Sequence, residues 1–304
     1  MTGDLVSVGM PVRNGGATLA RALDSILGQT YANLEVVLSD NGSTDGTADI
    51  ARRYAEQDPR IRYVRPPRSL TAWENYRFVL ERAAGEYFLW AADDDVRSPD
   101  YVGTLVAALS GSPGAVLAVT DVVRFAAGSE PGSGTTVESS ACLHPPSDSV
   151  LLRRVILGNC SDFYGLYRAD VLRDFPWMTF DYGHDHVLLF YVGLRGDVIR
   201  VPGPLFFESI RPSSQVRRQR VKEGFYHRMG RFRMVRFSFH MARVGRAASP
   251  RIGRPVDPLR VFAYSYVLLR STLTKVYVYE HAPEQAVRLW RRTKPSRPEP
   301  EPAG

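Results

Sequence analysis

Apolar positions along the first 120 residues fall into two alternating periods. Val6 to Met10 is a short, almost wholly apolar run that reads as a buried strand. Leu19, Leu23, Ile26 and Leu27 follow at i, i+4, i+7 and i+8, which predicts a helix over Thr18 to Gln29. The alternation continues with a strand over Leu34 to Leu38, the turn-rich run Asn41-Gly42-Ser43-Thr44-Asp45-Gly46, a helix around Thr47 to Tyr54, and a short strand at Ile61 to Val64. Thr71-Ala72-Trp73-Glu74 is a capping box, so the next helix starts there and runs to about Ala84, with Gly85 as its C-cap. Tyr87 to Ala91 is a strand. Ser98 as N-cap and Pro99 as first helical residue open a helix with Val102, Leu105, Val106 and Leu109 on its apolar face. Ala115 to Thr120 is one more strand.

Strands alternating with helices predict an α/β fold with a mainly parallel, doubly wound sheet and helices on both faces. Further along, Ala126 to Thr136 is a Gly/Ser-rich loop, Gly165 to Tyr167 a strand and His186 to Leu194 a helix. Val198 to Val201 and Leu205 to Phe207 read as two more strands, and Ser296 to Gly304, alternating Pro with Glu, as disordered. No internal repeat is found.

In doubly wound sheets, ligands bind beyond the carboxyl ends of the strands. Arg13-Asn14, Asp40-Asn41 and Asp93-Asp94-Asp95 each come directly after a strand, so all three are expected to face one crevice.

Composition narrows the class. The 304 residues are 44% hydrophobic and 23% charged, ordinary for a globular protein with a large core. A net charge of +7 favours anionic partners. Two cysteines, Cys142 and Cys160, exclude a disulfide framework and fit a cytoplasmic protein. Met1 to Pro11 lacks the features of a signal peptide, and no run approaches the roughly 20 apolar residues of a spanning helix.

Three consecutive aspartates repel one another unless a cation sits among them. Mg2+ and Mn2+ prefer oxygen ligands and share them with phosphates, so the triplet is a candidate metal site. An acidic turn capping the following helix is the alternative. Asp40 can accept a hydrogen bond from a base N–H, and Asn41-Gly42-Ser43 can offer backbone N–H groups to an anion, or the run can be a plain Asx turn. Asp185, in Gly183-His184-Asp185-His186, is placed either as a general base or as a helix N-cap. His184 and His186 lack an evident third ligand for zinc. Arg217, Arg218, Arg220, Lys222, Arg228, Arg231, Arg233 and Arg236 are interleaved with aromatics. Phe225, Met229, Phe232 and Phe239 fall at helical spacing. This segment packs on the domain, lies on a membrane surface, or, least favoured, meets nucleic acid.

Residues Val8-Gly9-Met10-Pro11-Val12-Arg13-Asn14, Ser25 to Tyr31, Glu35 to Thr47, Asn75, Ala84-Gly85-Glu86-Tyr87 and Pro99-Asp100-Tyr101 together resemble a family 2 glycosyltransferase with the GT-A fold. The resemblance is dense over about 5 to 110 and thins to about 215. It implies that Pro11, Arg13, Asn14, Asp40 and Asn41 line the nucleotide-sugar, that Asp45 supports their loop, and that Asp93 faces the ribose or sugar. Asp94 is implied as the main ligand of Mn2+ or Mg2+ with Asp95 beside it, Asp185 as the base of an inverting displacement, and Arg211 as a residue near the diphosphate. Ala92 stands where the family's Asp-x-Asp-Asp pattern begins, and His184 replaces the glutamate of its usual Glu-Asp pair. Gln215 to Gln219 lacks the Trp of processive members, and the spanning helices of those members are not found, so transfer of one sugar per event is expected.

The implied organisation is a nucleotide-sugar-binding half (1–125), an acceptor-binding half (126–214), a basic, mainly helical C-terminal region (215–295) and a tail (296–304). The expected partners are a UDP-, dTDP- or GDP-linked donor and a sugar or lipid-linked acceptor. Peripheral contact with the inner face of the membrane through 215–280 is the open alternative to packing. A sugar nucleotidyltransferase would need a better phosphate loop than Arg13-Asn14-Gly15-Gly16. A nucleic-acid-binding protein would bind in a salt-dependent way through the basic segment. No G-x-G-x-x-G follows the first strand, which argues against a dinucleotide oxidoreductase.

Overall fold

The computed structural model describes residues 3–139, 147–157, 160–178, 183–210 and 231–281. Its strands are β1 (Val6–Val12), β2 (Leu34–Asp40), β3 (Ile61–Val64), β4 (Tyr87–Trp90), β5 (Val96–Arg97), β6 (Ala115–Ala126), β7 (Thr135–Val137), β8 (Leu166–Arg168) and β9 (Asp197–Ile210). The helices are α1 (Leu19–Leu27), α2 (Thr47–Gln57), α3 (Ala72–Leu80), α4 (Tyr101–Ser110), α5 (Asp148–Leu157), α6 (Ala169–Arg173), α7 (His184–Arg195), α8 (Arg231–Ile252) and α9 (Pro258–His281).

The strands make one sheet in the order β3-β2-β1-β4-β8-β6-β9-β5, with β7 on β6. β3, β2, β1 and β4 run parallel, as the sequence pattern predicts. β8 is antiparallel to both β4 and β6, and β5 is antiparallel to β9. The sheet is therefore mixed beyond β4.

Period-two alternation assigns each strand's side chains to two cores. Val6, Val8, Met10 and Val12 of β1 join Leu34, Val36 and Leu38 of β2 and the apolar faces of α1 and α4 on one side. Phe88 and Trp90 of β4 join Val37, α3 and α7 on the other. Gly9 lets α3 approach: a Cβ there would lie 2.5 Å from Phe88 Cζ and 2.7 Å from Val79 Cγ2. Each fully buried Val, Leu or Phe stabilises the fold by about 1.5–3 kcal/mol, so these shared faces hold the strand ends in register.

Several elements differ from the sequence reading, each for a tertiary reason. α3 ends at Leu80, and Gly85 is not its C-cap; a Cβ at Gly85 would lie 2.6 Å from Leu5 O, so the residue is small because β1 passes close by. α4 starts at Tyr101 rather than at Pro99, and Asp95 does not cap it. The two strands expected between Val198 and Phe207 are one strand, β9, which follows β6 through a register shift. At that shift Gly203 adopts φ 105°, and the Asp121 carboxylate accepts its N–H and the Arg200 guanidinium. The expected loop over 126–136 contains β7 and a short 3₁₀ turn.

The basic region is helical where it is described, and it packs. Phe237, Met241, Val244 and Ala248 of α8 recur on one face and are buried in the same core as α7. The expected stripe is corrected at Phe239, which is 54% exposed, while Phe237 points inward. Arg217, Arg218, Arg220, Lys222, Phe225, Arg228 and Met229 lie outside the described residues. No helix among the described residues is long and apolar enough to cross a membrane.

Candidate active site

The carboxyl ends of β1, β2 and β4 carry the three polar clusters. After β1, Asn14 takes a left-handed φ of 57°, which turns its backbone toward the loop after β2. Its N–H donates to Ser43 Oγ at 2.9 Å, and its Oδ1 accepts the Thr44 N–H at 3.0 Å. Gly16 N–H donates to Asp45 Oδ2 at 3.0 Å. The Thr47 hydroxyl and the Gly16 N–H hold the Asp45 carboxyl below its ordinary range. Asp45 thus ties the first two loops together. Pro11 is buried in β1, and Arg13 is exposed at the loop.

Asp40 is wholly buried. Its Oδ1 accepts Ser43 N–H at 2.8 Å, its Oδ2 accepts the Tyr63 hydroxyl at 3.1 Å, and Arg65 lies 3.3 Å away. Asn41 is also committed. Its N–H donates to Val12 O, and its side-chain amide both donates to Leu70 O and accepts from Leu70 N–H, each at 2.8 Å. Gly42 N–H donates to Asp40 O. The N–H groups of residues 41–44 therefore all have protein partners. The expectation that Asn41-Gly42-Ser43 offers N–H groups to an anion is corrected on this point, because folding has used those donors to fix the loop.

The three aspartates divide their roles. Asp93 Oδ2 accepts the Thr18 hydroxyl at 3.3 Å and lies against Gly15, where a Cβ would collide with it. The carbonyl of Asp94 accepts Arg21 Nη2 at 3.3 Å, and Arg21 also lies over the Phe125 ring. Asp95 turns inward: it is 3% exposed and its Oδ1 accepts Ser209 N–H at 2.9 Å. Burial first, and the neighbouring Asp94 second, push its carboxyl up to about 8. Arg97, also buried, donates to Trp90 O just beneath the loop. An all-oxygen donor set whose innermost carboxylate is penalised by burial and like charge fits a hard divalent cation, which would relieve both penalties.

Asp185 stands in the first turn of α7, where a negative charge is favoured by the helix dipole. Its N-cap is Gly183 (φ 73°), so the N-cap reading of Asp185 is corrected. Asp185 Oδ1 accepts from His186 N–H and His186 Nδ1, both at 2.9 Å. Burial alone would raise this carboxyl, but the His186 imidazolium and its hydrogen bonds overcome that and hold it below the usual carboxylate range. For His186 burial works downward, and Asp185 wins by raising it well above the ordinary imidazole value.

Contacts link Asp185 to the aspartate loop. Trp90, at the end of β4, stacks on Phe163 with centroids 4.6 Å apart. Cys160 opens the same 3₁₀ turn, Cys160–Tyr164, and its Sγ lies 3.4 Å from His186 Nε2. Trp73, next to the Asn41–Leu70 clamp, packs on His184 at 4.6 Å and on Trp177 at 4.7 Å. Thr18, Arg21, Trp73, Cys160 and Trp177 carry no site signal in the sequence, although Thr18 and Trp73 sit at predicted helix starts, and His186 is weighed there only with His184 as a zinc pair. Arg211 follows β9 and lies outside the described residues.

A family model described as glycosyl transferase family 2 matches residues 7–175. The chain belongs to glycosyl transferase family 2. The match spans the loops after β1, β2 and β4 and stops before Asp185. Glycosyltransferase GlyA of Streptococcus pneumoniae is 38% identical to this family 2 chain over 103 residues, 34% of this chain and 14% of that protein. Glycosyltransferase GlyG of the same organism is 33% identical over 102 residues, 34% of each chain. This chain thus spans about a third or less of these curated relatives' lengths. Among solved structures, S. aureus TarS 1-349 in complex with UDP-GlcNAc superposes with a TM-score of 0.62 at 15% identity, covering 94% of this chain and 78% of that one. The mannosyltransferase PcManGT from Pyrobaculum calidifontis, in complex with GDP-Man and Mn2+, gives a TM-score of 0.53 at 18% identity with the same coverage. These likenesses establish the GT-A fold.

Proposed function

We propose that this chain is a metal-dependent, inverting glycosyltransferase that moves one sugar per event from a nucleoside-diphosphate sugar to an acceptor hydroxyl, in cell-surface polysaccharide, glycolipid or secondary-metabolite synthesis. The observation that carries the reading is the aspartate loop at the end of β4, fastened to the β1 loop on one side and linked through Trp90, Phe163 and Cys160 to Asp185 on the other. Donors of the UDP-, dTDP- or GDP-linked class fit it, since TarS was solved with UDP-GlcNAc and PcManGT with GDP-Man and Mn2+.

The chain's residues divide the work. The β1 and β2 loops, with Pro11, Arg13, Asn14, Asp40, Asn41 and Asp45, shape the nucleotide side. Asp93 faces the ribose or sugar. Asp94, with Asp95 beside it, would hold Mn2+ or Mg2+, which supplies charge neutralisation to a departing diphosphate. Arg211 adds positive charge near that group. Asp185 takes the proton from the acceptor hydroxyl as its oxygen bonds to the anomeric carbon. The bond from that carbon to the phosphate oxygen breaks, and its electron pair leaves with the nucleoside diphosphate. Attack opposite the leaving group inverts the centre. His186 keeps Asp185 ionised at neutral pH, ready for that proton.

Residues 1–125 form the donor half in this reading, 126–214 the acceptor half, and 215–295 a helical appendage. A lipid-linked acceptor would place the enzyme in the cytoplasm at the inner face of the membrane, touching it through exposed Phe239, Leu259 and Val267. Co-sedimentation with anionic liposomes tests that contact. The central test is Asp94→Ala and Asp185→Asn. Each is expected to abolish transfer while leaving thermal unfolding nearly unchanged, and near-normal turnover in either removes that residue from the mechanism. Mass spectrometry of products separates this reading from a sugar nucleotidyltransferase, which would release pyrophosphate. A donor screen by thermal shift with Mn2+ identifies the base and sugar, because a bound donor stabilises the fold.

A further inference from the structure

We propose that Cys160, Asp185 and His186 form a second metal site, separate from the aspartate loop, which takes Zn2+-class ions and when filled withdraws Asp185 from its role as base. The metal-binding half of this proposal stands on geometry alone. The inhibitory half rests on the glycosyltransferase reading.

Two elements far apart in sequence bring the donors together. The 3₁₀ turn Cys160–Tyr164 is anchored by Phe163 on Trp90, and Asp185 and His186 occupy the first turn of α7. One donor atom from each residue lies within 4.8 Å of the others. His186 Nδ1 is the shared centre, 2.9 Å from Asp185 Oδ1 and 3.8 Å from Cys160 Sγ. With metal–sulfur bonds of about 2.3 Å and metal–nitrogen or –oxygen bonds of about 2.0–2.1 Å, tetrahedral geometry puts S···N near about 3.5 Å and N···O near about 3.3 Å. The two separations differ from these by a few tenths of an ångström, and because Sγ now lies nearer Nε2, at 3.4 Å, the Cys160 side chain would rotate toward the Nδ1 edge of the ring to share the ion. The ion would take the place of the Nδ1 proton now shared with Asp185.

The donor chemistry selects the ion. Thiolate and imidazole favour Zn2+ over Mg2+ and Mn2+, whereas the all-oxygen loop after β4 has the opposite preference. Phe237 lies edge-on to His186 at 6.3 Å and covers one side. The Asp185 side chain is 37% exposed, which leaves an open side for a water as fourth ligand. An ion held there takes one carboxylate oxygen and, by its charge, lowers the proton affinity of the other, so the carboxylate no longer serves to accept a proton from the acceptor.

The experiment uses the full-length protein with Co2+ as a spectroscopic stand-in for Zn2+. Wild type and Cys142→Ala should both show a near-ultraviolet thiolate-to-cobalt charge-transfer band and the strong visible bands of a tetrahedral site, and Cys160→Ala should lose them. No charge-transfer band in wild type, or an unchanged band in Cys160→Ala, overturns the site. Competition against a chromophoric chelator should show Zn2+ binding at least about 10-fold weaker in Cys160→Ala and in His186→Asn, since even outer partners of a metal site contribute about 10–100-fold. Equal affinities overturn it as well. Thermal unfolding checks each variant, and Cys160→Ser replaces the alanine if that does not fold. At saturating Mn2+ and donor, Zn2+ should inhibit wild type, and Cys160→Ala, measured against its own zinc-free turnover, should need at least about 10-fold more Zn2+ for the same fractional inhibition. A cobalt band with no such inhibition retains the site and refutes the regulation. If no donor supports transfer, the cobalt spectra still decide the site.

Discussion

Replacing Asn41 with alanine removes a two-way clamp from the loop after β2, on the proposed donor side. The residue is 4% exposed, and its amide makes two 2.8 Å hydrogen bonds, one to Leu70 O and one from Leu70 N–H. In Asn41→Ala both Leu70 groups lose their partner. A buried polar group left unpaired costs about 1–3 kcal/mol, and Leu70 is half-buried, so water recovers part of each. The expected destabilisation is about 2 kcal/mol. Asn41→Asp separates the two bonds. It still accepts the Leu70 N–H, but its second oxygen faces the Leu70 carbonyl, and only the protonated acid can donate there. The deficit of Asn41→Asp relative to wild type should therefore shrink as the pH falls through the carboxylate range. Urea unfolding followed by circular dichroism reads both effects, with an unchanged m-value showing that the denatured state is unaltered. Because α3 and Trp73 start just beyond Leu70, donor KM should rise in Asn41→Ala more than kcat falls. A loss under about 0.5 kcal/mol for Asn41→Ala, the size of an ordinary surface change, would refute the clamp. So would a deficit of Asn41→Asp that grows in acid.

The same substitution at two glycines should have different consequences. Gly9→Ala meets core atoms of Phe88 and Val79 and is expected to cost about 1–3 kcal/mol in a thermal melt with little change in KM. Gly15→Ala meets the Asp93 carboxylate as well as the buried Val12 Cγ2, so besides lowering the melt it should weaken metal-dependent donor binding in a calorimetric titration, which Gly9→Ala should not. For α8, Phe237→Ala should cost about 3–5 kcal/mol by denaturant unfolding, as expected for a buried phenylalanine. Phe239→Ala, at a largely exposed position, should stay within about 0.5 kcal/mol.

What sequence could read, and what it could not, follows the range of the interactions. β1 to β4, α1 to α3 and the loops after β1, β2 and β4 were legible because hydrophobic period and capping are local signals. The Thr71–Glu74 capping box is present as read, each partner bonding the other's backbone. β5 is two residues long and exists only because Val96 and Arg97 pair with Phe207 and Phe206. β9 looks broken at Gly203-Pro204, but pairing with β6 carries it through. The local pattern placed three aspartates in a row and could not show that the third turns inward to Ser209, 114 residues away. Cys160 and His186 are joined only by packing between the 3₁₀ turn and α7, so spacing rules for metal ligands passed them by.

His184 stands where the glutamate of the expected acidic pair would be, so the proposed base Asp185 has no second carboxylate before it and an imidazolium, His186, after it. A second carboxylate beside Asp185 would raise its affinity for a proton, whereas the His186 imidazolium lowers it. Burial opposes the histidine, and in the folded protein the histidine prevails. With the Cys160 cluster free of metal, His186→Asn removes the cation and leaves burial opposed only by hydrogen bonds, from the backbone N–H of residue 186, from Cys160 and from the new side chain. The Asp185 carboxyl then moves upward. Below that raised value the base is protonated and cannot accept, so the acid limb of kcat/KM against pH should shift to higher pH. On the plateau above it, a more basic carboxylate should hold or improve the chemical step. The stability counterpart has the same origin. Asp185 is held low in the native wild type, so its contribution is present above the unfolded carboxylate value and is lost as the pH falls; His186→Asn should flatten that loss. A pH–rate profile whose acid limb does not move, in a variant that melts like wild type, would show that Asp185 does not govern turnover through this pair.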